Sequence, residues 1–188
     1  MGKFSPNNRI TRFGESTIIW LEYDGYDKPC YIDAADYPLV RDYSWVAVNT
    51  PSSQTFYARA RNRDNGASVH MHALIFGERN PDHVDRNGLN NCRENLRAAS
   101  SSESARNKGL RKDSTTGFKG VNRKYGKFIA RVTVDGVRHT LGGLFDTTLE
   151  AARVYNKAAK ELHGEFAVLN DVGDDDLIFN QSTKVADA

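Results

Sequence analysis

The chain has 188 residues, a hydrophobic fraction of 39% and a formal net charge of +2, which suits about one ordinary domain or a few small ones. Nowhere do roughly 18 apolar residues run together, and the opening MGKFSPNNRI lacks the apolar core of a secretory signal, so neither a membrane partner nor export is expected. Cys30 and Cys92 lie far apart with no C-x-x-C partner, which argues against a disulfide framework and a zinc ribbon and makes the cytoplasm the expected location.

Residues 1–14 are polar and aperiodic and read as a loose arm. Thr17 to Tyr23 is a β-type run stopped by Asp24-Gly25-Tyr26-Asp27, and Cys30 to Asp33 is a second short strand. Asp33 then offers an N-cap to a short helix through Ala34, Ala35, Tyr37 and Val40. Ser44 to Val48 and Thr55 to Arg61 read as a hairpin around the loop 49–53. In its second arm Phe56, Ala58 and Ala60 face one way and Tyr57, Arg59 and Arg61 the other, a face more simply explained by solvation than by phosphate. After Asp64-Asn65-Gly66 comes Ser68 to Phe76, ending at Gly77. His70 and His72 there have the spacing of strand ligands, but H-x-H alone is a weak metal signal, and neither is assigned to metal.

The stretch from Pro81 to Lys108 concentrates the chemistry. Asp82-His83-Val84-Asp85 is β-like, Arg86-Asn87-Gly88 turns the chain back, and Asn95 to Ala98 returns as a second strand. Ser100 with Glu103 forms a capping box, so a helix is expected from about Ser101 to Lys108. Strand, loop, strand and helix make a ββα unit. Phosphodiester hydrolysis needs a base for water and a cation for developing charge. His83 suits the base, Asp82 a hard-metal ligand for Mg²⁺ or Mn²⁺, and Asn95 can accept from one ring nitrogen to fix the imidazole.

With these residues in view, the chain resembles the HNH endonucleases, more narrowly the phage-type homing enzymes. The resemblance runs through Met71-His72, Asp82 to Asp85, Leu89 to Arg97 and Ala105-Arg106-Asn107. It implies His83 as general base, Asn95 as the residue that orients it and Asp82 as metal ligand. The helix ligand, an Asn or His in that family, falls on Ser104 here, with Asn107 one turn further on as a substitute.

From Arg106 to Thr140 the chain carries ten basic residues against two acidic ones, Asp113 and Asp135, while Asp171, Asp174, Asp175 and Asp176 begin an acidic tail read as disordered. A basic block interleaved with Phe118, Tyr125 and Phe128 points to nucleic acid. Three strands follow, 119–124, 127–134 and 137–141, the last two joined by the hairpin dipeptide Asp135-Gly136. Phe128, Ala130, Val132 and Val134 share one face and Ile129, Arg131 and Thr133 the other. A helix capped by Thr147 and Glu150 presents Ala151, Tyr155, Ala158 and Leu162 to the apolar face. The stretch Gly117 to Asn170 resembles an AP2/ERF DNA-binding domain through Phe-Lys-Gly-Val, Gly-Lys-Phe-Ile-Ala, Leu-Gly-Gly-Leu-Phe-Asp and Glu-Ala-Ala-Arg-Val-Tyr. That likeness implies DNA contacts from Lys119, Asn122, Arg123, Tyr125, Lys127, Arg131, Thr133, Arg138 and Thr140. Asn122, Arg131, Thr133 and Thr140 depart from the plant-type pattern, so its sequence preference does not transfer.

The expected fold is therefore α+β. A β-rich segment at 1–68 leads into an HNH ββα-metal (His-Me finger) unit at 69–109, then a three-stranded antiparallel sheet on one helix at 110–170, and the tail at 171–188. The expected activity is divalent-metal-dependent cleavage of double-stranded DNA, of homing type, in the cytoplasm of a bacterial host if the phage likeness holds. The alternative is a DNA-binding regulator whose nuclease site Ser104 has silenced.

Overall fold

The computed structural model describes residues 8–49, 55–77 and 81–173. The chain is mixed α+β, with several sheets and few helices, and divides into two units, Met1–Ala99 and Ser100–Ala188. The loop expected at 49–53 and the tail from Asp174 onward fall almost wholly outside the described residues.

The first unit rests on alternation. Strand β2 (Ser16–Tyr23) buries Thr17, Ile19 and Leu21 on one face, as a half-buried strand with period 2 should. It pairs along its whole length with β3 (Tyr26–Asp33), and on its other edge with β1 (Ile10–Phe13) and at one point with β4 (Val46–Val48). Antiparallel β5 (Tyr57–Arg61) and β6 (Ser68–His70) complete six strands. Ala58 and Ala60 of β5 join Ile19, Leu21, Ile32, Val40, Trp45, Met71 and Ile75 in the core.

The structure corrects two expectations and gives one unassigned run its elements. Part of the supposed loose arm is β1: Ile10 pairs with Ile19, Thr11 Oγ1 accepts from Trp20 Nε1 at 3.0 Å, and Arg9 stacks 4.2 Å over the Trp20 ring. An edge strand needs backbone partners more than an apolar pattern, so composition hid it. Asp33 makes no side-chain cap to the turn at Ala34–Asp36 or to α1 (Tyr37–Val40); its Oδ2 instead accepts from the Arg93 amide at 2.9 Å. The run from Ser68 changes element at Met71, where α2 (Met71–Phe76) begins and ends in Gly77 at φ 83°. Met71 and Ile75, four apart, are both buried, which is helical rather than strand spacing.

The second unit opens with α3 (Ser101–Arg106), held by the expected reciprocal cap of Ser100 and Glu103 but two residues shorter than expected, with Asn107 as its C-cap. Strands β9 (Val121–Lys124), β10 (Lys127–Val134) and β11 (Val137–Phe145) form an antiparallel sheet in the order β11-β10-β9. Helix α4 (Thr148–His163), capped by Thr147 and Glu150, closes Ala151, Ala152, Tyr155 and Ala159 over Val121, Ala130 and Val132. Of the helix residues expected on this face, Leu162 is 46% exposed. Alanines allow a close approach, and Gly120 completes it: at φ +75° a Cβ there would overlap the Tyr155 ring. Among the described residues no helix is long and apolar enough to cross a membrane.

Candidate active site

Strands β7 (Asp82–His83) and β8 (Leu96–Arg97) pair antiparallel in the first unit, with Asp82 opposite Arg97 and His83 opposite Leu96. The connection between them is built around Asp85. Its carboxylate accepts from the Asn87 amide (2.7 Å), Asn90 Nδ2 (2.8 Å) and Asn95 Nδ2 (2.9 Å), while the Asp85 amide donates to Asn95 Oδ1 (2.9 Å). Short polar side chains satisfy the loop's own backbone, which is why Asp and Asn crowd it.

The N-terminal sheet holds this loop from outside. Tyr31 of β3 donates its amide to Leu89 O and accepts from the Asn91 amide, both at 2.8 Å, so the loop adds to the β3 edge. Arg93 clamps Asp36, which is 3% exposed, through Nε and Nη2 at 2.7–3.0 Å. Leu89 and Leu96 enter the core of the first unit. Residues 1–68 thus include the platform for the loop.

That platform fixes His83. Asn91 is fully buried, and its Oδ1 lies 3.1 Å from His83 Nε2 while its Nδ2 lies 3.2 Å from Cys30 Sγ and 3.8 Å from Met71 Sδ. Cys30 directs its S–H to Met71 Sδ at 3.5 Å, and burial pushes that thiol up to about 12, so Sγ stays protonated and is the acceptor toward Asn91. The amide is thereby oriented with its NH₂ toward sulfur and its oxygen toward the imidazole. An acceptor at Nε2 places the ring proton there and the basic lone pair on Nδ1.

His83 is 5% exposed, and burial lowers its pKa below the usual histidine value against the opposing pull of Asn91, Asp85 and Asp82. The imidazole is therefore neutral at physiological pH, the state a base requires. His72 packs edge-on against it at 5.1 Å between centroids, and Tyr57 is edge-on to both at 5.7 and 5.9 Å. Burial first, and then repulsion from His83 and His70 once they take up protons, push His72 down to about 3. Gly88 backs the arrangement, since a Cβ there would overlap the Phe56 carbonyl and the Tyr57 ring.

Asp82 accepts from Arg97 Nε and Nη2 at 3.1 and 2.9 Å, both on Oδ2, in a pair whose side chains are only 10% and 14% exposed. Among the described residues no group of three or more His, Cys, Asp or Glu converges to hold a metal. A hard divalent ion does not require one: a single carboxylate with waters and substrate oxygens is its usual protein site. The Asp82 carboxylate fits that role.

The structure corrects the assignment of Asn95. Its side chain bonds Asp85 and the Asn90 carbonyl (2.7 Å), so it braces the loop, and Asn91 is the residue that reaches the imidazole. Ser104 and Asn107 lie on and just after α3 in the second unit; Ser104 is half-buried and Asn107 is 6% exposed. Sequence reasoning missed Asn91, Cys30, Met71 and Tyr57. Asn91 passed for a turn residue, and no local signal tells it from Asn90 or Asn95.

In the second unit, register sorts the basic residues. Asn122 pairs with Ile129, Arg131 with Thr140 and Thr133 with Arg138, so these share the face away from α4 with Lys127 and, one residue beyond the expected set, Lys124. Ile129 on that face is nonetheless 2% exposed. Arg123 pairs with Phe128 and stacks on its ring at 5.2 Å, which puts it on the α4 side. Lys119 directs its ammonium to the carbonyls of Arg106 and Lys108 at 2.5 and 2.6 Å, capping α3. Arg123 and Lys119 therefore depart from the expected DNA face. Tyr125 is 86% exposed in the turn at φ 51°, and Lys127 pairs with Asp146 at 2.8 Å. Both acidic residues of the basic stretch are neutralised within it, Asp135 by Arg106 and Asp113 by Arg111.

A fixed neutral imidazole and a carboxylate, on a short strand that leads into a polar loop, can take a proton from water and hold a hard cation. The chain is 37% identical over 156 residues to an uncharacterized HNH endonuclease of Acanthamoeba polyphaga mimivirus, covering 76% of this chain and 74% of that protein. The chain belongs to the HNH endonuclease family. It is also 34% identical over 88 residues to Protein 3.8 of Escherichia phage T7, covering 46% of this chain and 71% of that protein. No family model and no solved structure matches.

Proposed function

We propose that this protein is a divalent-metal-dependent DNA endonuclease of homing type, with His83 as its base and the AP2-like sheet of the second unit as its grip. The observation that carries the reading is the Asn91 amide held between a sulfur pair and the imidazole, which fixes the tautomer of a buried, neutral His83. A water oxygen forms the new bond to phosphorus, its proton passes to His83 Nδ1, and the bond from phosphorus to the leaving sugar oxygen breaks. Asp82 would hold the metal; the helix ligand that the resemblance implies is Ser104. When bound, the ion stabilises charge on the phosphate and leaving oxygen. Arg97 keeps Asp82 pointed through two hydrogen bonds to Oδ2. One such site addresses one strand, so a monomer nicks, and two copies are needed for a double-strand break. The AP2-like sheet offers Asn122, Lys124, Lys127, Arg131, Thr133, Arg138 and Thr140 on one face to a DNA groove.

Ser104 favours a second reading, a DNA-binding regulator, because a serine hydroxyl is a shorter and weaker ligand than an amide or imidazole. Nicking of supercoiled plasmid carrying DNA from the source genome, with Mg²⁺ or Mn²⁺, separates the two. The nuclease reading expects nicking by the wild type that His83→Ala removes while DNA binding persists. A silent wild type that Ser104→Asn activates establishes the regulator.

A further inference from the structure

On β5, Tyr57, Arg59 and Arg61 project from the face opposite the core residues Ala58 and Ala60, and both arginines are exposed. Tyr57 begins the row against His83 and His72. Arg59 follows between Val46 of β4 and His70 of β6, and Arg61 lies beside Ser68. Among the described residues neither arginine has a carboxylate partner; Arg61 makes one contact, a long 3.5 Å approach to Gly66 O. The carboxylate in the same cross-strand row is Glu22, beyond Val46, and it accepts from the Gly25 amide at 3.0 Å. Two strand spacings, about 9.6 Å, separate it from Arg59.

We propose that Tyr57, Arg59 and Arg61 form a track for the DNA backbone, holding phosphates of the substrate strand next to the one His83 acts on. The proposal rests on the nuclease reading. Its geometry is that of a rigid central strand: residues two apart lie about 6.6 Å apart along β5, close to roughly two base-pair rises of 3.4 Å along one strand. Guanidinium groups suit phosphate oxygens through paired N–H donors. Charge without a carboxylate partner among the described residues, on one face of a strand paired along both edges, fits a polyanion, and the row is continuous with the base.

The test is binding of a short random-sequence DNA duplex by the full chain, from roughly 50 to 200 mM salt, the range in which phosphate contacts show. Wild type, Arg59→Gln, Arg61→Gln, the double variant and Arg59→Lys are compared, with equal melting temperatures as the check on folding. Each Gln variant should lower the slope of log affinity against log salt by about 1, the pair by about 2, and Lys should restore most of it. Slopes equal to wild type overturn the track, as does a slope change seen with duplex RNA and not with DNA. Plasmid nicking is scored in parallel. Unchanged slopes in an enzyme that His83→Ala inactivates remove the track alone. Lowered slopes in a protein whose nicking survives His83→Ala keep the phosphate contacts and remove the base.

Discussion

The two units use polar residues in opposite ways. His83 and the amides that surround it are buried and hydrogen-bonded: His83, Asn91 and Asn95 are 5%, 0% and 7% exposed, and each hydrogen-bonds inside the loop or to the sheet beneath. On the far face of the second sheet Asn122, Thr133, Arg138 and Thr140 lie open to solvent. A base must hold one ring orientation and one tautomer, and only buried, oriented partners enforce that. Binding a polyanion tolerates mobile side chains, because the attraction is long-ranged and weakly directional. Losses should therefore be steep and specific in the first unit and shallow and additive in the second.

The sharpest break is His83→Ala, which should cut nicking by roughly 10²–10⁴-fold, the usual contribution of a general base, and leave duplex affinity within a few-fold; plasmid nicking with parallel anisotropy binding reads both. Asn91→Leu comes next. It keeps the base but releases its ring, so kcat should fall about 10²-fold with KM little changed, and urea unfolding should show a loss of about 1–3 kcal/mol from the unpaired buried nitrogen. An unaltered kcat would leave Asn91 as packing alone.

Gly120→Ala carries the comparison into the second unit, where it predicts a loss of fold rather than of chemistry. Strain at positive φ and overlap with Tyr155 should cost about 3 kcal/mol, seen as an earlier thermal transition and weaker DNA binding. A smaller effect is pH-dependent. The folded pKa of His72, about 3, lies below its ordinary 6.5, so between those values the unfolded chain binds a proton that the folded chain does not. Stability should accordingly decline as pH falls below about 6.5, by roughly 1.4 kcal/mol per unit from this residue, and His72→Gln should flatten the slope in chemical denaturation. Smallest of all is Lys127→Ala: already paired with Asp146, it should lower the salt slope of binding by less than Arg138→Ala, which should lower it by about 1.

Much of this was written locally. Period-2 alternation in β5 and β10 set their faces, and the Ser100–Glu103 and Thr147–Glu150 boxes marked two helix starts, because each depends on neighbours within a few residues; the Asp82-His83 pair likewise singled out the candidate site. The same alternation, counted from buried Val121, places Arg123 on the α4 side, opposite to the face that the AP2 likeness implies. Only the tertiary structure decided that Asn91 rather than Asn95 holds the imidazole, since its partners Cys30 and Met71 lie 61 and 20 residues away. It likewise turned Lys119 from the DNA to the end of α3, where two carbonyls lie within reach of its ammonium. Secondary structure follows from the order of neighbouring side chains, whereas the choice among chemically equivalent amides and ammonium groups follows from which partners the folded chain brings within about 3 Å.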